Sequence, residues 1–473
     1  MKIHFENPSS RKAENLTLAA MLENAGHPLD LRCAGAGTCG RCKVTLLSGE
    51  WRTAGKPVRP PCEVMACRTE LAGESGEVEV PDTSLAPATG GRILADWRNA
   101  RLPVSDETVV AVDIGTTTVA AVKIHAGRIV AKASCYNSQS KLGDNVISRI
   151  HAATGGKLGE LRALVIADIG RLLAEIGGGK CARIAVAGNT VMECLFHGID
   201  PGPIGVIPFT PPARVFPERT DMFGGVPVLT IPAISGYVGG DLTAGMVIAD
   251  LKQGEMLVDI GTNCEIIFKT ANGVFCTAAA AGPAFEGAGI SCGSRATDGA
   301  IDRFFPDGTH GVIGGIATPI GICGSGFIDF AAVKRRAGAL TEMGRYEPSA
   351  ESCRICEGIA VHESDIEQIL KAKAAVFSGI QTLENKCGEK ARKIHLAGGF
   401  AQYIDLANAI EIGMLPQNEY EIVGNTSLAG AALLACDPTQ MPRFVSIIDI
   451  PEEVSLNTLP DFQDNYIDAL MLP

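Results

Sequence analysis

The sequence predicts a small α+β domain at the N-terminus, followed by a duplicated α/β core. Two observations carry this prediction. A glycine-rich group of cysteines lies near the start of the chain, and an Asp-Ile-Gly-Thr phrase occurs twice, at residues 113–116 and 259–262. Each copy of the phrase follows an apolar run of strand length. We predict segments at residues 1–82, 83–107 (a linker), 108–255, 256–435 and 436–473 (a C-terminal tail).

The N-terminal domain is marked by three clustered cysteines, Cys33, Cys39 and Cys42, and by a distant fourth, Cys67. This pattern is close to the plant-type [2Fe-2S] spacing, with one extra residue in the first gap. A cluster held by four thiolates needs a chain that bends sharply around it. The glycines between the cysteines allow the positive φ angles of such a loop. We therefore predict that these four cysteines are the ligands of a [2Fe-2S] cluster.

Other interpretations of the cysteines are open. A structural zinc site usually has two CxxC-like pairs, and only Cys39 and Cys42 form one here. Ordinary buried thiols are a second alternative, although cysteines alternating with glycines pack poorly. Cys62 is an alternative to Cys67 as the fourth ligand. We favour Cys67 because apolar residues precede it, which suits a side chain turned inward onto the cluster.

The elements predicted around these cysteines are short. Residues 16–24 have the pattern of a helix that Gly26 ends. Residues 43–47 and 77–80 are typical of strands, and residues 92–97 are typical of a helical turn within the linker. Short strands around one helix in a segment of this length favour a β-grasp ferredoxin domain.

The core is predicted from the two Asp-Ile-Gly-Thr copies. In each copy a strand ends at the aspartate, a Gly-Thr turn follows, and a second apolar strand returns. Each copy also has a later strand that runs into glycine, at residues 184–190 and 394–400. One copy alone would be no more than a strand with a tight turn. Two ordered pairs favour a duplicated α/β fold with a nucleotide in the cleft between its halves.

The predicted chemistry is that of phosphate binding. A Gly-Thr turn offers backbone N–H groups and hydroxyls to phosphate oxygens. Asp113 and Asp259, at the strand ends, would hold the water shell of Mg²⁺, and we predict them as the catalytic residues. Glycines after the later strand would let the backbone pass close to adenosine. The predicted ATP residues are Asp113, Gly115, Thr116, Thr117, Asp259, Gly261, Thr262, Asn263, Gly398 and Gly399.

Weaker signals lie between these motifs. Glu265 or Glu286 could orient an attacking water, or either could be a structural hydrogen-bond acceptor. Residues 137–149 are polar, and we interpret them as a surface that faces a partner. Cys353 and Cys356 form a lone CxxC pair, which has no second pair nearby to complete a metal site.

Composition limits the classes of function. The 473-residue chain carries a net charge of −12 and has no basic run, which argues against a nucleic-acid partner. No apolar run reaches the roughly 18 residues of a membrane span, and the first residues do not resemble a signal peptide. Sixteen cysteines without an export signal favour a reducing cytoplasm.

Taken together, the motifs resemble the ATP-dependent reductive activators of corrinoid enzymes. The matching phrases are CAGAGTCGRC, VDIGTTTVA, GDNVISRI, AGNTVM, VDIGTNCEI, AAGPAFEGAGI, GICGSGFID, LAGGFAQYIDLANAI and VGNTSLAGA. The resemblance implies a ferredoxin domain followed by an ATPase core of the acetate kinase, sugar kinase, Hsp70 and actin type. It also implies one-electron reduction of Co(II) to Co(I) through the [2Fe-2S] cluster, driven by ATP with Mg²⁺. The family's ligand and nucleotide motifs fall on the cysteines and ATP residues named above.

The partners implied are a corrinoid protein of a methyltransferase system and an upstream low-potential electron donor. The segment between the two modules is shorter than in larger members of the family, and the four-cysteine motifs of a related branch are missing. The identity of the partner, the electron source and the formation of a homodimer are therefore open. The leading alternative function is a small-molecule kinase with a redox-sensing ferredoxin domain. A third is an electron-transfer adaptor with a degenerate nucleotide site.

Overall fold

The computed structural model describes residues 1–6, 16–27, 29, 37, 42–81, 97, 101–316 and 318–473. The predicted ligands Cys33 and Cys39 and most of the predicted linker turn lie outside the described residues. The chain divides into two compact units, one of residues 1–89 with 288–291 and the other of residues 90–287 with 292–473. We describe each unit by itself.

The first unit is an antiparallel sheet with one short helix in its described part. Its elements are β1 (Lys2–Glu6), α1 (Leu18–Asn24), β2 (Lys43–Thr53), β3 (Lys56–Val58), β4 (Cys62–Met65) and β5 (Thr69–Glu79). Strand β5 pairs with β1 and β2, and β2 also pairs with β3 and β4. Thr17 caps α1 by accepting a hydrogen bond from the Ala20 N–H at 3.3 Å.

The predicted helix and strands of the first unit are confirmed, but the strands are longer than predicted. Strand β2 continues through the polar residues 48–50 because its pairing with β5 satisfies the backbone there. The core of the unit is made by the inward faces of the sheet and of α1. Its fully buried side chains include Leu18, Leu22, Leu46, Trp51 and Val78.

The second unit begins with a half that we call the first half, residues 108–249. Its elements are β6 (Thr108–Ile114), β7 (Thr118–His125), β8 (Arg128–Tyr136), α2 (Val146–Ala152), α3 (Leu158–Glu175), β9 (Ile184–Gly188), α4 (Thr190–His197), β10 (Val228–Thr230) and α5 (Gly240–Ala249). The sheet order is β10-β9-β6-β7-β8. Strands β6, β7 and β8 are antiparallel neighbours, and β9 is parallel to β6 and β10.

The second half, residues 255–473, contains a sheet of order β20-β19-β11-β12-β13-β21. Its elements are β11 (Glu255–Ile260), β12 (Cys264–Lys269), β13 (Val274–Ala279), β14 (Ala300–Phe304), β15 (His310–Val312), β16 (Gly321–Ile322), α6 (Gly324–Arg336), β17 (Ser352–Cys356), β18 (Ile359–His362), α7 (Glu363–Cys387), β19 (Lys393–Ala397), α8 (Leu406–Glu411), β20 (Glu419–Gly424), α9 (Thr426–Cys436), α10 (Met441–Ile447), β21 (Pro451–Glu453) and α11 (Pro460–Asp468).

The two halves have the same strand connectivity, which confirms the predicted duplication. In each half, three antiparallel strands are followed by two strands that add in parallel on the other side of the first. The aspartates occupy equivalent places, since Asp113 pairs with Ala187 of β9 and Asp259 pairs with Ala397 of β19. The carboxyl ends of the two central strands therefore carry the same motif.

Helix α9 follows the second sheet in sequence but packs on the first. Leu428, Ala431 and Leu434 of this helix share a buried cluster with Val109 and Ala111 of β6. The crossover is a consequence of burying a helix that is apolar on nearly every side. It brings the N-terminal end of α9 to the carboxyl end of β6.

The predicted C-terminal tail is built into the second half. Strand β21 pairs in parallel with β13, and Leu472 is buried. The buried Lys373 ammonium on α7 donates hydrogen bonds to the carbonyls of Ala469 and Met471, each at 2.6 Å. These contacts fix the segment after α11. No helix in the described parts of the chain combines the length and the apolar character needed to cross a bilayer.

Candidate functional site

A cavity of about 250 Å³ opens between the two halves of the second unit. It lies at the carboxyl ends of β6 and β11, where the two Gly-Thr turns form part of its wall. The structure brings together every residue that the sequence predicted for ATP. The predicted residues that line the cavity are Asp113, Gly115, Thr116, Thr117, Asp259, Gly261, Thr262, Asn263, Gly398 and Gly399.

The two turns meet across the cavity. The Thr117 and Thr262 hydroxyl oxygens, one from each half, are 3.0 Å apart and share a hydrogen bond. The Thr262 hydroxyl also lies 3.0 Å from Glu286 Oε1, to which it donates. The carboxylate of Glu286 is thus bonded to the second turn, and its Oε2 atom is buried without a hydrogen-bond partner among the described residues. This oxygen is an acceptor in the cavity wall that a bound ligand or water can satisfy.

Asp113 is held by two residues at the start of α9. Asn425 donates from Nδ2 to Asp113 Oδ2 at 3.0 Å, and Ser427 donates from Oγ to Asp113 Oδ1 at 2.7 Å. Burial raises the pKa of the Asp113 carboxyl, and these two hydrogen bonds offset only part of that effect. Neither Asn425 nor Ser427 was predicted from the sequence. The signal that could have found them is a polar Asn-Thr-Ser run directly before an apolar helix.

Further carboxylates face the same cavity and were only partly predicted. Burial raises the pKa of Asp259 to about 8, and the nearby charges of Asp241 and Asp113 add to the effect. Burial likewise raises the pKa of Asp241, and the pKa of Glu265 is well above its usual range. Glu265 stands opposite Asp259 in the β11–β12 pairing, so the two side chains share one face of the sheet. The cavity therefore crowds several carboxyl groups whose ionisation is disfavoured when no cation is bound.

Asp241 is the acidic residue that sequence reasoning missed. It lies in the first turn of α5, directly after Gly239 and Gly240, and its Oδ1 accepts from the Leu242 N–H at 2.7 Å. A Gly-Gly-Asp run before an apolar helix was the available signal.

Arg295 carries the only basic side chain among the described residues that line the cavity. Its Nη2 donates to the Thr117 carbonyl at 3.0 Å and to the Thr118 hydroxyl at 3.2 Å. The guanidinium also lies over the Tyr136 ring, 2.9 Å from the ring centroid. A cation from the second half is therefore bonded to the phosphate turn of the first half. No sequence motif predicted this residue.

Gly398 is required by backbone packing. Its φ is +90°, and a Cβ at this position would lie 2.6 Å from both Asp259 Oδ1 and the Ile260 carbonyl oxygen. The end of β19 can approach β11 this closely only without a side chain. The predicted role of Gly398 toward adenosine stays a prediction, since the close approach observed is to the protein's own strand.

We predict that G398A destabilises the protein and weakens nucleotide binding. Strain at positive φ costs about 1–2 kcal/mol, and the overlap with β11 adds about 1–3 kcal/mol. Gly388 is a matched control, because its φ is +64° and a Cβ there would meet nothing within 4 Å. Chemical denaturation should show a loss of about 1–2 kcal/mol for G388A, from strain alone. Equal losses in the two variants would contradict the packing argument.

The described part of the first unit brings two predicted cluster ligands side by side. Cys42 directly precedes β2, and Cys67 lies in the 3₁₀ turn of residues 66–68 between β4 and β5. The Ala66 N–H donates to the Cys42 carbonyl at 2.9 Å, so the segments that carry the two thiols are adjacent. Both side chains are buried, with exposed fractions of 1% and 7%.

Gly37 also lies close to this turn. Gly37 has a φ of +75°, and a Cβ there would lie 2.9 Å from Cγ of Arg68. Cys62, the alternative ligand, pairs with Leu46 in the β2–β4 ladder. It is three strand positions before Met65, or about 10 Å along the strand. The geometry therefore places Cys67, and not Cys62, beside Cys42.

The lone CxxC pair lies elsewhere in the chain. Cys353 and Cys356 are on β17, where the pairing with β18 is irregular between Arg354 and Cys356. Neither residue lines the cavity.

Comparison with known proteins places the chain in a family. Residues 253–473 match the C-terminal domain of RACo, the ASKHA domain, residues 108–254 match the RACo middle region, and residues 5–72 match the 2Fe-2S iron-sulfur cluster binding domain. The corrinoid activation enzyme RamQ of Eubacterium limosum is 30% identical over 419 residues, which cover 76% of this chain and 69% of the relative. The chain belongs to the RACo family.

Two further relatives agree with this membership. A Methanosarcina barkeri protein named [Co(II) methylated amine-specific corrinoid protein] reductase is 27% identical to this RACo-family protein, over 67% of each chain. A solved structure described as a reductive activator for corrinoid, iron-sulfur protein has a TM-score of 0.72 and 26% identity. That match covers 98% of this chain and 97% of the other. The predicted family and fold are thus confirmed: a [2Fe-2S] ferredoxin domain precedes an actin/Hsp70-like, nucleotide-binding ASKHA core.

Proposed function

We propose that this RACo-family protein activates a corrinoid protein by one-electron reduction of Co(II) to Co(I), driven by ATP hydrolysis. One observation carries the proposal: the predicted ATP residues from both halves converge on a single cavity, in a chain that also contains a cluster-binding domain. The printed names of the relatives, a corrinoid activation enzyme and a corrinoid protein reductase, support the same substrate class.

Four thiolates would hold the cluster. The buried, adjacent positions of Cys42 and Cys67 fit two of its ligands, and Gly37, between the other two predicted ligands in sequence, lies close to Arg68. We assign Cys33 and Cys39 as the other two. A bound [2Fe-2S] cluster supplies one-electron chemistry at a potential of about −400 mV for the plant type. The upstream donor must then be a low-potential reductant.

The acidic cavity fits Mg²⁺ together with a nucleotide. Mg²⁺ prefers a few carboxylates plus phosphate oxygens and waters, and the raised pKa values of Asp259 and Asp241 show that their charges lack compensation. We assign Asp113, Asp241 and Asp259 as the residues that would hold the ion and its water shell. A bound ion would neutralise the carboxylates and the phosphates together. Asn425 and Ser427 keep Asp113 oriented for this task.

The contacts between the two halves provide the coupling between nucleotide binding and binding of the corrinoid protein. The Thr117–Thr262 hydrogen bond and the Arg295 contacts join one phosphate turn to the other half. A nucleotide that binds both turns favours the state in which these turns face each other, and hydrolysis removes that preference. ATP can shift the equilibrium only through its different affinity for the two states. We therefore expect ATP and the corrinoid protein to bind cooperatively.

The test is reduction of a corrinoid protein by the anaerobically purified, cluster-loaded protein with a low-potential reductant. ATP should produce the Co(I) absorption band, and a non-hydrolysable analogue should not sustain it. Phosphoryl transfer to an added small-molecule acceptor, without Co(I), would favour the kinase alternative. Absence of any ATP hydrolysis would favour the adaptor. Titration of the corrinoid protein with and without nucleotide should give different affinities, and equal affinities would remove the coupling mechanism.

A further inference from the structure

The backbone of the first phosphate turn is held from outside the cavity. Asn137 lies directly after β8, is fully buried, and donates from Nδ2 to the Gly115 carbonyl at 2.9 Å. Its backbone N–H donates to the Thr117 carbonyl, also at 2.9 Å. One residue therefore fixes the carbonyls at both ends of the turn.

The carbonyl between them is held by Arg149. This arginine, on α2, has no exposed surface, and its Nη2 donates to the Thr116 carbonyl at 2.5 Å. Its Nε donates to the Gly143 carbonyl at 2.9 Å, and its Nη1 donates to Gln139 Oε1 at 3.2 Å. The planar guanidinium thus spans three points of the chain, which a lysine ammonium does not reproduce.

Holding a carbonyl with Arg149 requires a charge to be buried. A buried charge costs free energy unless it is paired as well as hydrogen-bonded, and the described hydrogen-bond partners of Arg149 are neutral groups. Burial lowers the pKa of Arg149 only to about 10, so the group stays charged at neutral pH. A charge retained at this cost indicates a task that a neutral residue would not perform.

The geometry of the peptide group indicates the task. In a planar trans peptide the N–H points opposite to the C=O. Holding the carbonyls of Gly115 and Thr116 outward therefore orients the N–H groups of Thr116 and Thr117 away from the buried donors. Both threonines line the cavity. The amide donors of the turn are then set before any phosphate arrives, so a ligand does not have to order them.

We propose that Arg149, together with Asn137, is a positioning residue that presets the first phosphate turn for the phosphates of a nucleotide. The inference rests on the proposed function, because it requires a nucleotide in this cavity. Lys141, Asp144 and Ile147 of the polar segment 137–149 are exposed, so its interpretation as a partner-facing surface stays a prediction for them. The side chains of Asn137 and Arg149 are instead fully buried and bond to the turn.

The test compares R149K and N137D with the wild type in the cluster-loaded full-length protein. R149K keeps the positive charge but loses the planar guanidinium and its separate donors. N137D keeps the oxygen that accepts from the Gln139 N–H, but it replaces the amide donor to the Gly115 carbonyl with a second oxygen. Each should weaken binding of ADP and of a non-hydrolysable ATP analogue about 10- to 100-fold, since one or two hydrogen bonds to charged groups are misplaced. Adenosine, measured as a competitor, should bind within about twofold of its wild-type affinity, because it carries no phosphate.

Arg162 provides the matched control. It is a half-buried arginine of the same half, and its Nε donates to the Phe196 carbonyl at 3.2 Å, away from the turn. R162M should lower the thermal midpoint and leave ADP affinity unchanged. Equal losses for ADP and adenosine in R149K, or unchanged ADP affinity in both turn variants, would overturn the inference. If R149K does not fold, the ADP and adenosine affinities of N137D decide the test. A wild type that binds no nucleotide would instead overturn the proposed function.

Discussion

D259N should stabilise the nucleotide-free protein at alkaline pH and abolish ATP hydrolysis. The pKa of Asp259 is about 8 in the folded state, against 3.8 when unperturbed, because burial and the charges of Asp241 and Asp113 disfavour its ionisation. The folded state therefore binds a proton that the unfolded state does not bind between about pH 4 and pH 8. The stability contributed by this proton is complete below about pH 4 and is lost as the pH rises through 8. An uncharged amide avoids that loss.

The effect can be measured by thermal unfolding between pH 6 and pH 9 without Mg²⁺ or nucleotide. The wild-type midpoint should fall over this range, and the D259N midpoint should fall less. Each pKa unit corresponds to about 1.4 kcal/mol, so the variants should differ by at least a few degrees at pH 9. MgADP should narrow the difference, since a ligand that binds only the folded wild type stabilises it by about 2.7 kcal/mol at a 100-fold excess over its Kd.

ATP hydrolysis by D259N should fall at least roughly 100-fold, the loss usual when a preorganised electrostatic group is removed. D307N is the control, because Asp307 is an exposed aspartate of the same half whose carboxylate only caps the local turn at Thr309. D307N should hydrolyse ATP at the wild-type rate and show no increase in its thermal midpoint at pH 9 relative to the wild type. A D259N protein that hydrolyses ATP at the wild-type rate, or that is less stable than the wild type at pH 9, would contradict the assignment of this carboxylate.

The parts of the site that the sequence predicted are those carried by local, repeated patterns. A strand that ends in Asp-Ile-Gly-Thr determines its own turn within a few residues, and its repetition at 259–262 indicated the second wall of the cavity. The duplicated topology could be predicted for the same reason. The later strand of each half also ends in glycine, which marks the same edge of the sheet.

The parts that the sequence did not predict come from elements that return to the cavity over long sequence distances. Asn425 and Ser427 reach Asp113 only because α9 crosses back onto the first sheet. Arg295 reaches the first turn from an irregular segment of the second half. A local pattern can mark such polar residues but not their partners, since the partners depend on which sheet buries the apolar helix.

The polar segment 137–149 shows a different limit. Polarity predicts a surface, and Lys141 and Asp144 are indeed exposed, yet Asn137 and Arg149 are buried, with backbone carbonyls among their partners. Sequence polarity does not separate a solvated side chain from one that satisfies the interior backbone. The C-terminal segment, predicted only as a tail, likewise contains β21 and the carbonyls that Lys373 binds.

The second large effect is expected when a predicted ligand of the [2Fe-2S] cluster is replaced. C67S should lose nearly all bound iron and all corrinoid reduction, because a serine hydroxyl is a poor substitute for a thiolate ligand. C62S should keep both. Cys67 lies in the turn whose Ala66 N–H bonds to the Cys42 carbonyl, and Cys62 pairs with Leu46 farther along the ladder. Visible absorption and iron content of anaerobically purified variants would measure the difference.

The C62S control and the basal rate of ATP hydrolysis distinguish loss of a cluster ligand from loss of the fold. Both cysteines belong to the same sheet and turn region of the first unit, so C62S controls for the general effect of replacing a thiol there. The second unit has its own core, and C67S should therefore still hydrolyse ATP at a measurable basal rate. Because ATP turnover and electron delivery are assigned to different units, C67S should consume ATP without producing Co(I). A colourless C62S protein beside a C67S protein with full iron would reverse the ligand assignment.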